Sequence, residues 1–146
     1  MKKYGITIIG ILFLIYGGIR LWVSSVLLLQ TFGLINIADL QAALIDIGDF
    51  MQSRQDNSVV PFSVVVYLSY LWVMGALLVT GAIGCLKRQS FGHISLSVFL
   101  VLYVLLFVNF QTINPKVIHL VVCATLLGLY LWLRKKEFSP DSIKGE

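Results

Sequence analysis

The sequence predicts an all-α membrane protein: an antiparallel up-down bundle of four transmembrane helices, with an amphipathic helix in the first extracytoplasmic loop. Three observations lead there. Of 146 residues, 58% are hydrophobic and only 12% charged, where soluble domains are roughly half apolar and a quarter charged. The apolar residues fall in four long runs. The basic residues cluster at the ends of those runs. A globule of this size cannot bury so much apolar surface from water, which argues against a soluble enzyme, a disordered chain or a disulfide scaffold.

The four runs are about 4–29 (broken only by Arg20), 59–86, 91–110 and 117–133. A hydrocarbon core about 30 Å thick takes about 20 helical residues, so each run suffices, and the first two have length to spare for tilt. The first run follows Lys2 and Lys3 as a signal peptide would. Its apolar stretch is too long for one and no A-x-A site follows, so it reads as an uncleaved span. One transmembrane domain is expected over 1–136, with a polar cytoplasmic tail at 137–146.

Lysine and arginine set the orientation. One side receives Lys2, Lys3, Lys87, Arg88, Arg134, Lys135, Lys136 and Lys144, eight in all; the other receives Arg54 and Lys116. Both termini are therefore expected in the cytoplasm, in a bacterial inner membrane. The net charge of +4 is spent on this asymmetry. No basic surface interleaved with aromatics suggests nucleic acid. The polar turn Lys87–Ser90 offers Ser90 as an N-cap. In the turn Gln111–Lys116, Asn114 precedes Pro115, a pattern that caps a fourth helix.

The long first loop carries a helix of its own. Ile37, Leu40, Leu44, Ile47 and Met51 recur at intervals of three and four, which is helical spacing. It is expected at about 37–52, with Asn36 as cap and Asp39 three residues on. Asp39, Asp46 and Asp49 lie toward its polar side. An acidic helix is a poor ligand for anionic lipid, so it is expected to dock on the bundle mouth or on a partner protein.

Arg20 is the most informative residue. It stands near mid-membrane, where an arginine costs about 2.5–3.5 kcal/mol, and no span contains an acidic residue. Counting inward from the helix ends brings Tyr67 and Tyr70, Tyr103 and His119 to its depth. The alternatives for Arg20 are snorkelling toward the interface, tyrosine hydroxyls and ring faces, an aspartate of the loop helix dipping into the bundle, or a counter-group from outside the chain. Close helix approach is expected at Gly10 and Gly17 of the first span and at Ala76, Thr80 and Gly84 of the second, where small residues repeat. Trp132 fits an interfacial belt; Trp22 and Trp72 are expected to pack inside the bundle.

The two cysteines, Cys85 and Cys123, form no CxxC and sit at different depths, so neither a disulfide nor a metal is expected. His93 and His119 lie on opposite sides of the membrane and cannot share a metal. None of the common hydrolase, phosphate-loop or metalloprotease patterns occurs, so no enzyme and no cofactor is expected. In length, span number and basic turns the chain resembles small bacterial inner-membrane proteins such as the DoxX-like four-helix chains, a resemblance of layout from which no site residue is taken.

The expected function is that of a non-enzymatic accessory subunit, binding another membrane protein or a second copy of itself through its small-residue faces and acidic helix. The alternative is a binder or transporter of a lipophilic small molecule, a quinone or a lipid, in a pocket of Arg20, Tyr67, Tyr70, Tyr103 and His119. The two diverge on one point. The second requires these side chains to converge on one cavity.

Overall fold

The computed structural model describes residues 2–110 and 117–137. Five α-helices make up almost all of them: α1 (Lys2–Thr31), α2 (Ala38–Arg54), α3 (Val64–Leu86), α4 (Ser90–Phe110) and α5 (Val117–Glu137). Helices α1, α3, α4 and α5 are long and apolar enough to cross a membrane, and the chain reads as a multi-pass membrane protein. Many of their large apolar side chains point outward, among them Ile8, Ile15 and Ile19 of α1 and Val101, Val104 and Val108 of α4. Water would not tolerate that surface on a protein of this size. Lipid would.

The helix ends follow from local chemistry. The second apolar run reaches back to Val59, yet α3 starts at Val64: Pro61 cannot donate to a helix, and the Ser63 hydroxyl accepts a hydrogen bond from the Val66 N–H at 3.3 Å. Two helices close in Schellman turns. At the end of α1, Gly33 takes φ +73° while its N–H reaches Gln30 O and the Leu34 N–H reaches Leu29 O, both at 3.0 Å. At the end of α3 the left-handed position is Arg88, φ +56°, with Arg88 N–H to Cys85 O and Gln89 N–H to Gly84 O. Helix α5 runs four residues beyond the expected end at 133, to Glu137. The Asn114–Pro115 cap, the turn 111–116 and the tail beyond Glu137 lie outside the described residues.

Two expectations for the loop helix change. Its N-cap is Ile37, not Asn36, and no side chain caps it. The side-chain oxygen of Gln30, at the end of α1, accepts the Ile37 N–H at 3.0 Å instead; a long amide from the preceding helix reaches the orphan donor. Only the second half of the apolar stripe is well covered. Met51 is buried, Leu40, Leu44 and Ile47 are half-buried, and Ile37 is exposed.

Helices α1 and α3 pair along their length in opposite directions: Gly10 meets Leu86, Gly17 meets Leu78 and Gly75 meets Leu21. Helix α3 turns back onto α4 at a crossing of bare backbones, where a Cβ on Gly84 would lie 2.5 Å from the Gly92 Cα. Helix α5 touches both α1 and α4, completing a helical bundle. The main core threads Phe13, Met74, Leu78, Phe99, Tyr103 and Tyr130. A second cluster, Met51, Tyr67, Leu106 and Phe110, seats α2 across one end of the bundle. Asn109 ties down the segment between α2 and α3. Its Oδ1 accepts the Val60 N–H at 2.8 Å, its Nδ2 donates to Val60 O at 3.1 Å, and its own carbonyl accepts the Val59 N–H.

Trp22 and Trp72 do not pack inside the bundle. Trp22 is 68% exposed and Trp72 42%. Trp22 lies two residues past Arg20, about 200° round the helix at 100° per residue, so an inward Arg20 turns Trp22 outward. Trp72 rides over α1 instead, its Nε1 donating to Ser25 Oγ at 2.9 Å.

Candidate functional site

Arg20 sits eleven residues before the end of α1, about 16 Å along the helix at 1.5 Å per residue. It turns into the bundle. Its guanidinium carbon lies 5.0 Å from the centre of the Tyr103 ring and 5.9 Å from that of Phe99. Its Nη1 donates to the Tyr16 hydroxyl at 3.2 Å. Each ring contributes about 0.5–2 kcal/mol of cation–π attraction, on the scale of the insertion cost of about 2.5–3.5 kcal/mol. The charge is tolerated without a carboxylate because aromatic faces surround it.

Above this cation lies a cavity of about 360 Å³. Helix α1 contributes Tyr16, Arg20 and Ser24, α3 contributes Tyr67, and α4 contributes Tyr103, Leu106 and Phe107. Phe50 of α2 covers its end, and His119 of α5 forms part of its rim. The His119 ring stacks on Tyr16 at 6.1 Å with 16° between the planes and is otherwise exposed. Ile19 and Val23, also lining residues, are 60% and 40% exposed. The cavity therefore opens sideways between α1 and α5, toward the surface that would face lipid.

Few polar groups line this space: the Arg20 guanidinium, the hydroxyls of Tyr16, Ser24, Tyr67 and Tyr103, and the His119 ring. Ser24 spends its hydroxyl on the Arg20 carbonyl at 2.8 Å. Tyr67 is 7% exposed, its hydroxyl has no hydrogen-bond partner among the described residues, and it is not sealed in protein. The Arg20 N–H groups beyond the one given to Tyr16 are in the same position. Among the described residues no acidic side chain lines the cavity, and Asp39, Asp46 and Asp49 are exposed on α2. The site combines an apolar wall, a fixed cation and a free phenol.

Arg20, Tyr67, Tyr103 and His119 thus meet at one cavity, and Tyr70 does not. Its hydroxyl donates to the Leu102 carbonyl at 2.6 Å. Counting depth from a helix end gives height but not direction. Tyr70 lies about 60° round α3 from Tyr67 at 100° per residue, enough to point it at the α4 backbone. Sequence reasoning missed Tyr16, although it stands four residues before Arg20 and so on the same face. Phe50 and Phe107 carried no signal distinguishing them from core residues.

The small residues lie elsewhere. A Cβ on Gly10 would meet Leu86 Cδ2 at 2.7 Å, and one on Gly17 the Leu78 Cβ at 2.7 Å. Gly84 abuts Gly92, Ala76 is half-buried, and Thr80 is exposed with its hydroxyl 3.1 Å from Ser95 Oγ. Cys85 and Cys123 are buried free thiols. At the opposite end of the bundle His93 Nδ1 meets Arg134 Nη1 at 2.6 Å, and Arg134 Nη2 also reaches Ser90 Oγ at 3.3 Å. Ser90 is thus engaged by Arg134 across the α4–α5 contact.

Comparison with protein families, with characterised proteins and with solved structures gives no match.

Proposed function

We propose that the chain binds an amphiphilic small molecule, a quinone or a lipid, in the cavity around Arg20, to hold it or to carry it across part of the bilayer. The observation that carries this reading is the convergence of a cation and two tyrosines, Tyr67 and Tyr103, on one apolar cavity. Its size is at the lower end of small-molecule sites, about 300–1,000 Å³. Its sideways opening suits a ligand arriving through the membrane. In this account the bundle runs up and down across a bacterial cytoplasmic membrane with both termini inside, and α2 lies at the outer mouth.

An accessory subunit is the second reading. The acidic face of α2, with Asp39, Asp46 and Asp49 exposed, favours it. The small-residue faces do not, because Gly10, Gly17 and Gly84 are occupied within the bundle.

Native mass spectrometry of gently purified wild type and Arg20→Ala separates the two. A small molecule that co-purifies with wild type and is lost from the variant supports the cavity. A protein lost in its place supports the subunit. Identical preparations contradict both.

A further inference from the structure

The cavity's polar chemistry selects among lipophilic ligands. Resting on the reading above, we infer that the ligand is a single-chain anionic amphiphile whose carboxylate or phosphate sits between Arg20 and Tyr67 and whose chain leaves between α1 and α5.

Arg20 is a permanent cation in a low-dielectric site, and among the described residues no carboxylate lines the cavity to balance it. Tyr16, Tyr103 and Phe99 solvate it without cancelling it. Any head group entering the cavity meets that uncompensated charge. A quinone carbonyl offers a neutral acceptor; an anion adds a charge-assisted hydrogen bond, roughly twice as strong as a neutral one. The Tyr67 hydroxyl supplies a second donor. The Tyr67 residue is 7% exposed and lines the same cavity, and its hydroxyl is unpartnered among the described residues. A two-oxygen head offers one acceptor to each donor.

Shape limits the rest of the molecule. A volume of about 360 Å³ lies near the small end of ligand sites and suits a head with the first part of one chain better than a two-chain lipid. Beyond the head the walls are apolar: Leu71, Leu106 and Phe107. Phe50 closes the α2 end, so the chain exits past Ile19, Val23 and His119, the exposed members of the rim. This is the entry route a single-chain lipid would take from the surrounding leaflet.

The test is equilibrium binding to the full chain in nanodiscs of neutral lipid. Radiolabelled palmitate and palmitoyl lysophosphatidate are the anionic probes; hexadecanol and decylubiquinone are the neutral ones. At least one anion is expected to bind saturably and at least tenfold tighter than hexadecanol. Arg20→Gln should cost that anion at least tenfold and cost hexadecanol far less. Tyr67→Phe, which removes only a hydroxyl and keeps the packing, should cost severalfold. The tighter of the two anions tells a carboxylate site from a phosphate site. Hexadecanol or decylubiquinone binding as tightly as both anions overturns the anionic assignment and leaves the cavity reading standing, whereas anion binding indifferent to Arg20→Gln with Tyr67→Phe overturns both. Saturable binding of none of the four probes overturns both.

Discussion

Replacing Gly84 by alanine tests the close crossing of α3 and α4. The added Cβ would lie 2.5 Å from Gly92 Cα, 2.7 Å from Gly92 N and 2.7 Å from Phe91 Cε2. Carbon atoms rest about 3.5–4.0 Å apart, so α3 and α4 must separate by about 1 Å at this crossing. Two of the three atoms are backbone, which no rotamer change can move aside. Overpacking of this kind costs about 1–3 kcal/mol. Gly18→Ala is the control, since nothing lies within 4 Å of its added carbon; it should be neutral or stabilising by up to about 1 kcal/mol, the helix-propensity gain of alanine over glycine. Reversible unfolding in mixed micelles measures both. Gly92→Ala should resemble Gly84→Ala, because its Cβ would lie 2.5 Å from Cys85 N and 2.6 Å from Gly84 C. The double variant should cost less than the two singles added, since one separation relieves both clashes. A Gly84→Ala protein as stable as wild type, or one no worse than Gly18→Ala, would refute the close crossing.

Other outcomes follow from single contacts. Tyr70→Phe should lose about 0.5–1.5 kcal/mol of stability with its hydrogen bond to Leu102 O and leave ligand affinity unchanged; a large affinity loss would return Tyr70 to the site. Asn109→Leu removes both side-chain bonds to Val60 and should speed amide exchange at Val60 while α1 stays protected, as read by hydrogen-exchange mass spectrometry. With Trp22 as the sole tryptophan, brominated lipid should quench its fluorescence strongly, because it is 68% exposed; weak quenching would put it back inside the bundle.

The spans were legible because a bilayer imposes one requirement on every crossing segment, about 20 apolar residues with backbone bonds satisfied internally. Helix α2 was legible from the spacing of Leu40, Leu44, Ile47 and Met51. The site was legible in part. Arg20 announces itself, as a charge in an apolar run must. Its neighbours required direction as well as depth, and apolar helices give little: when all sides are hydrophobic, periodicity does not say which face is inside. That is why Tyr70 was assigned with Tyr67, and why Trp22 and Trp72 were expected in the interior. The i, i+4 relations of Tyr16 and Ser24 to Arg20 were in the sequence, and spacing alone identifies both neighbours. Gly92, the partner of Gly84 across the α3–α4 crossing, needed the turn geometry at Arg88 before the pairing could be read.

The space above Arg20 is proposed to receive an anionic head from the membrane. Photolabelling tests it most directly. Wild type and Arg20→Gln would be irradiated in vesicles with a fatty acid carrying a diazirine near its carboxyl end, and the labelled peptides sequenced. The account predicts label concentrated on the α1 segment from Tyr16 to Leu27 and the α4 segment from Tyr103 to Phe110, displaced by unlabelled palmitate and lost in the variant. Label spread over outward residues such as Val98, Val101 and Ile118, undiminished by competitor or by Arg20→Gln, would contradict it.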